Sequence, residues 1–232
     1  MGIVRHPQMP SSFAPVDRAE TLTDAVYAQI HQAIVKRALE PGARLTEAGV
    51  ARELGVSKTP VREALLKLRE VGLIEPDGVR GNRVVTPSPT ALREAYETRR
   101  AVESYLAGVA AKSAQSDAVR RIRQAADDSL RGAEGSNREA FRAADAAFHL
   151  EIAKAGANGR MQRIIADAMT LIMALRQRDL PDAEAFIDCA QAHVRIASAI
   201  EGGAGAVASD EMARHLERVE HYILDDDGGP LG

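Results

Sequence analysis

The chain has no tryptophan, and aromatic residues make up only 3% of its 232 positions. A protein that stacks single-stranded nucleic acid on aromatic platforms needs more rings than that. Cys189 is the one cysteine. It excludes an intrachain disulfide and fits a reducing cytoplasm, the expected location. Although 45% of the residues are hydrophobic, no run of about 18 apolar residues occurs, so no membrane span is expected. The opening segment, broken by Pro7, Pro10 and Pro15, lacks the apolar core of a secretory signal. A strong positive balance is absent too, since the net charge is -3. That charge divides into about +2 over residues 1–87 and about -5 over the rest. The local field at the phosphates governs DNA binding, so any DNA contact belongs to the first part.

The most informative stretch runs from Gly55 to Leu65, Gly-Val-Ser-Lys-Thr-Pro-Val-Arg-Glu-Ala-Leu. Gly55 can take a left-handed turn conformation. Ser57 is placed to cap the helix that follows, and Pro60 falls in its first turn, where a missing N–H does little harm. Val61, Ala64, Leu65 and Leu68 recur at i, i+3, i+4 and i+7 as one buried face. Lys58, Thr59, Arg62 and Arg69 fall largely off it. A capped helix with a basic, hydroxyl-bearing outer surface suits a DNA major groove. The same spacing also suits an ordinary bundle helix, so the flanking segments must decide.

Upstream, Leu22, Val26, Ile30 and Ile34 mark a helix expected to end near Pro41-Gly42, and a second short helix runs from about Thr46 to Leu54. Downstream, Gly72-Leu73-Ile74-Glu75 leads to a turn at Asp77-Gly78, and Arg80 to Val85 returns as a strand. The order reads as a winged helix-turn-helix, with a recognition helix for the groove and a wing for phosphates. The expected DNA contacts are Arg44, Ser57, Lys58, Thr59, Arg62, Gly81 and Arg83. Pro41-Gly42-x-x-Leu45-x-Glu47, the Leu54 to Leu65 run and Gly72-Leu73-Ile74 together resemble the GntR family of bacterial transcription regulators over about residues 20–87.

The expected fold is mainly α: a winged helix-turn-helix followed by an all-α six-helix bundle. Residues 1–17 read as a flexible tail, 18–87 as the DNA-binding domain, 88–225 as an effector-binding and dimerisation domain, and 226–232 as a disordered tail. Thr86-Pro87-Ser88-Pro89 forms a short, stiff linker. The bundle helices are expected near 90–113, 116–131, 138–155, 158–178, 182–201 and 205–224.

Polar residues interrupt the inward stripes of that bundle. Asp145 and His149 lie one turn apart beside Phe141, Phe148 and Ile152. His193 sits within Phe186, Cys189, Ile196 and Ile200, and His215 within Met212, Val219 and Tyr222. A single inward histidine is ordinarily a hydrogen-bonded core residue. A buried aspartate among three of them is costly unless a cation pairs with it. Spacing alone leaves a metal site and a polar core evenly matched. Asp145-x-x-x-His149, Gly156-x-Asn158, His193 and Met212-x-x-His215-Leu216 are similar to the helical ligand-binding domain of the FadR branch of the GntR family, and the helix count to its VanR-like subgroup. That resemblance implies one divalent ion on Asp145, His149, His193 and His215. Zinc comes first, with nickel and manganese as alternatives.

Arg99 and Glu103 share a stripe with Leu92, Tyr96, Leu106 and Ala110. They read as a long side chain snorkelling out at the bundle's edge, as an internal ion pair or, as the family motif Tyr96-Glu97-x-Arg99-x-x-x-Glu103 implies, as an arginine at a cavity wall that binds an anionic effector. Arg176 is a weaker candidate for that role, and Phe148, Ile152, Ile196 and Met212 are the expected apolar wall. The leading expectation is a homodimeric regulator, a repressor on a pseudo-palindromic DNA operator, controlled by a small organic acid beside the metal. A metal sensor with the ion as effector is the alternative. A metal-dependent enzyme is disfavoured by the absence of a nucleophile motif or a separate general base.

Overall fold

The computed structural model describes residues 21–78, 81–176 and 180–224. The two expected tails, and the Arg80 end of the expected wing strand, lie outside the described residues. The first half contains α1 (Leu22–Val35), β1 (Arg44–Thr46), α2 (Glu47–Leu54), α3 (Lys58–Glu70), β2 (Ile74–Asp77) and β3 (Gly81–Val84). Thr21 starts α1 through a reciprocal capping box with Asp24. The helix stops at Val35, well before Pro41, because Arg37 takes a left-handed conformation with φ of 60°. Gly55, at φ 67°, ends α2 and turns the chain into α3; a side chain there would be strained.

Val61, Ala64, Leu65 and Leu68 of α3 are buried against Val26, Ile30 and Ile34 of α1. Ser57 occupies the N-cap position of α3, but its side chain makes no capping hydrogen bond, contrary to expectation. The wing is a three-stranded sheet of order β1-β3-β2 rather than a bare hairpin. The added strand, β1, is antiparallel to β3, with Arg44 opposite Arg83 and Leu45 opposite Asn82. Three residues carry too little alternation to read as a strand in sequence.

The second half is wholly helical among the described residues: α4 (Pro89–Ser113), α5 (Ser116–Glu134), α6 (Arg138–Ala155), α7 (Gly159–Leu175), α8 (Ala183–Glu201) and α9 (Gly205–Leu224). Side-chain caps set several starts: Ser88 for α4, Asn137 for α6, Asn158 for α7 and Asp182 for α8. Phe148, Ile152, Ile165, Ile196 and Met212 are fully buried in one core, each contributing about 1.5–3 kcal/mol by leaving water. No described helix is long and apolar enough to cross a membrane.

The two halves touch through α7. Its Ala174 joins the winged core, and the Arg37 guanidinium donates to the backbone carbonyl of Arg176 at 2.8 Å.

Candidate DNA interface and metal centre

The start of α3 and the wing enclose a concave surface lined by Thr46, Glu47, Lys58, Arg62, Arg69 and Gly81, among others. Lys58, Thr59 and Arg62 are exposed, as is Ser57 just before them. Arg62 is held by a two-pronged pair with Glu47, both bonds at 2.9 Å. Arg44 and Arg83 each reach the same Asp77 oxygen at 3.1 Å. Gly81 has a structural reason for its lack of a side chain, since a Cβ there would lie 2.6 Å from the Asp77 carbonyl oxygen. The carboxylates of Glu47 and Asp77 were not expected in this surface. They pre-orient arginines that would otherwise sample many rotamers, at the cost of partly neutralising them.

In the helical half, α6, α8 and α9 bring His149, His193 and His215 together. All three are buried. The His215 Nε2 atom lies 3.3 Å from the Nε2 atoms of both His193 and His149. Asp145 Oδ1 is 3.5 Å from His193 Nε2 and 3.8 Å from His149 Nε2. The aspartate is not buried as expected, because its side chain is 31% exposed at the edge of the cluster. Cys189, also buried, places its Sγ 4.0 Å from His193 Nε2, and burial pushes its thiol pKa up.

The outer ring nitrogens of His193 and His149 are tied down. Ser129 spends its hydroxyl proton on the Ala126 carbonyl at 2.8 Å, so its oxygen is left to accept from His193 Nδ1–H at 2.9 Å. His149 Nδ1 faces Glu103 Oε2 at 2.5 Å, and the other Glu103 oxygen accepts from Arg99 Nε at 2.5 Å. Burial favours a neutral Glu103, but Arg99 and His149 outweigh it and hold the carboxyl at about 2. Burial, reinforced by neighbouring positive groups, pushes His193 and His215 well below the usual histidine range. Neutral imidazoles with inward Nε2 lone pairs repel one another unless a proton or a cation lies between them. Imidazole nitrogens about a tetrahedral zinc stand roughly 3.3–3.4 Å apart for Zn–N bonds of about 2.0–2.1 Å. The three histidines, by the two His215 separations, therefore fit such an ion, and Asp145 stands at the edge of that spacing.

Beside the cluster lies a cavity of about 100 Å³. Tyr96, Arg99, Asp145, His149, Cys189 and His215 border it. Arg99 is buried rather than snorkelling outward, and it is both an internal partner of Glu103 and part of the cavity wall. Its Nη2 is buried without a hydrogen-bond partner. Arg176 also borders the cavity. The apolar wall is Met169, Ile172, Leu180 and Val219 rather than the expected Phe148, Ile152, Ile196 and Met212, which face the bundle core. Phe148 instead stacks on the His193 ring at 4.3 Å between centroids.

Sequence comparison agrees with this two-part construction. Residues 22–84 match the family described as bacterial regulatory proteins, gntR family, and residues 94–218 match the FCD domain. The protein named "Probable D-xylose utilization operon transcriptional repressor" of Paenarthrobacter nicotinovorans is 32% identical, over 79% of this chain and 80% of its own. The HTH-type transcriptional regulator LutR of Bacillus subtilis is 27% identical, over 80% and 93%. Among solved structures, a GntR-type regulator from Rhodococcus sp. RHA1 superposes with a TM-score of 0.68 at 27% identity, covering 87% of this chain and 97% of that one. E. coli McbR/YncC reaches 0.70 at 19% identity, over 85% and 94%, which speaks to the fold alone.

Proposed function

This chain belongs to the GntR family of bacterial transcriptional regulators and carries an FCD domain, and from that premise we propose that a small carboxylate bound beside a divalent metal controls its grip on DNA. A DNA-binding regulator, rather than an enzyme, is what the family membership establishes. The finer reading rests on one observation: three buried histidines converge beside a cavity bordered by Asp145, His149, His215 and Arg99, whose Nη2 is buried without a hydrogen-bond partner.

His149, His193, His215 and Asp145 would hold the ion, with zinc first by donor chemistry and nickel or manganese next. The ion supplies Lewis acidity toward a carboxylate oxygen. Arg99 binds the same anion from the cavity wall, and the apolar wall limits the acid's size. A cavity beside the donors favours an organic effector over the ion alone. Residues 18–87 carry the DNA contacts through Arg44, Ser57, Lys58, Thr59, Arg62, Gly81 and Arg83, and residues 88–225 carry effector binding and dimerisation. Repression of a pseudo-palindromic operator by a homodimer, relieved by the acid, is the arrangement we adopt.

Thermal-shift screening of carboxylates, with and without chelator, tests the pocket chemistry. At least one small acid raises Tm, the shift disappears on chelation, and it weakens in Arg99→Ala. Stabilisation by neutral sugars or amines instead, or carboxylate binding that survives chelation, would overturn the reading.

A further inference from the structure

We propose that Glu103 makes His149 a metal ligand by dictating which of its ring nitrogens carries the proton. The proposal rests on the metal reading above and concerns a residue outside the donor set. A neutral imidazole has one N–H and one lone pair, and an ion can bind only the lone pair. His149 Nε2 faces the cluster, 3.3 Å from His215 Nε2. His149 Nδ1 faces Glu103 Oε2 at 2.5 Å. A carboxylate only accepts, so in neutral His149, the form that can ligate, the proton must sit on Nδ1 and leave Nε2 bare.

Arg99 enforces this choice. Its guanidinium only donates, and its Nε meets the second Glu103 oxygen at 2.5 Å. Glu103 is fully buried and so has no water to serve as an alternative partner. Glutamine is nearly the same size but has one oxygen and one NH₂. Arg99 would claim the oxygen. The NH₂ would then face His149 Nδ1, which would have to accept. The histidine proton would move to Nε2 and point at the place the ion must occupy. Glu103→Gln therefore switches His149 from ligand to non-ligand with little change in volume. Removing Arg99 as well frees the amide to turn its oxygen toward His149 and restores the original tautomer.

The test measures zinc affinity on the full chain by competition with a chromophoric chelator, for wild type, Glu103→Gln and the double variant Arg99→Met/Glu103→Gln. Ring ¹⁵N shifts of His149 in the metal-free proteins report the tautomer directly. Expected are a loss of about 10–100-fold in zinc affinity for Glu103→Gln, recovery of most of it in the double variant, and a proton on Nδ1 in wild type and double variant but on Nε2 in Glu103→Gln. A merely structural glutamate would not produce rescue by a second substitution. If Glu103→Gln fails to fold, wild type and double variant still carry the tautomer measurement. Unchanged zinc affinity in folded Glu103→Gln, or a wild-type His149 protonated on Nε2, overturns the proposal. If wild type takes up no zinc, the metal reading falls, and the ring shifts still judge Glu103 by itself.

Discussion

At the scale of single residues, inward histidines were legible and their supports were not. His149, His193 and His215 interrupt apolar stripes, so helical periodicity alone aims them at the bundle interior. Glu103 reads in sequence only as the partner of Arg99 one turn away, because its second partner lies 46 positions along the chain. Ser129 is likewise 64 positions from His193, and no local pattern joins them. Metal analysis should find about one ion per chain in wild type, and the His193→Ala/His215→Ala double variant should lose it, because removing two of four donors leaves too few to hold the ion. In the DNA surface, Arg62→Ala should weaken operator binding by about 1–3 kcal/mol if Arg62 reads a base edge. Anisotropy titration at fixed salt measures this, and unchanged affinity in the folded variant removes Arg62 from the contact set.

At the scale of elements, long periodic helices with caps were the most readable. The six bundle helices fall within a few residues of their expected bounds because Gly, Pro, Asn and Asp punctuate most of their ends. The end of α1 was missed, since Arg37 adopts a positive φ that sequence does not announce. β1 was missed because Arg44–Thr46 pairs only through a strand some 40 residues distant. Helix α3 owes its position to packing: Leu68 is fully buried. Leu68→Ala should destabilise the winged half by about 2–5 kcal/mol through lost burial and a residual cavity. Urea titration followed by circular dichroism gives that figure, and a change under 1 kcal/mol would mean the site collapses freely. Helix α7 has two faces with different work. Met169, Ile172 and Met173 border the cavity, while Ala174 packs into the winged core and Leu171 approaches Gly72. An effector that displaces α7 would thus act on both halves at once.

At the scale of the whole molecule, one recognition helix reads too few base pairs for useful specificity, and two-fold symmetry doubles the site. Light scattering of the protein alone and with its DNA should give a dimer in both states, and a single chain per site throughout would exclude the symmetric arrangement. The division of charge noted in the sequence follows the same plan, with the mildly basic part carrying α3 and the wing and the acidic part carrying the histidine cluster and cavity. The central claim is that DNA binding answers to a carboxylate only through the bound metal. The most direct measurement is anisotropy titration of a duplex selected by this protein from a random-sequence library. It compares zinc-loaded, chelated and His193→Ala/His215→Ala protein against the acid that gives the largest thermal shift. The account predicts that the acid changes duplex affinity by at least tenfold in the zinc-loaded protein and leaves the other two unaffected. An equal response in all three would contradict it.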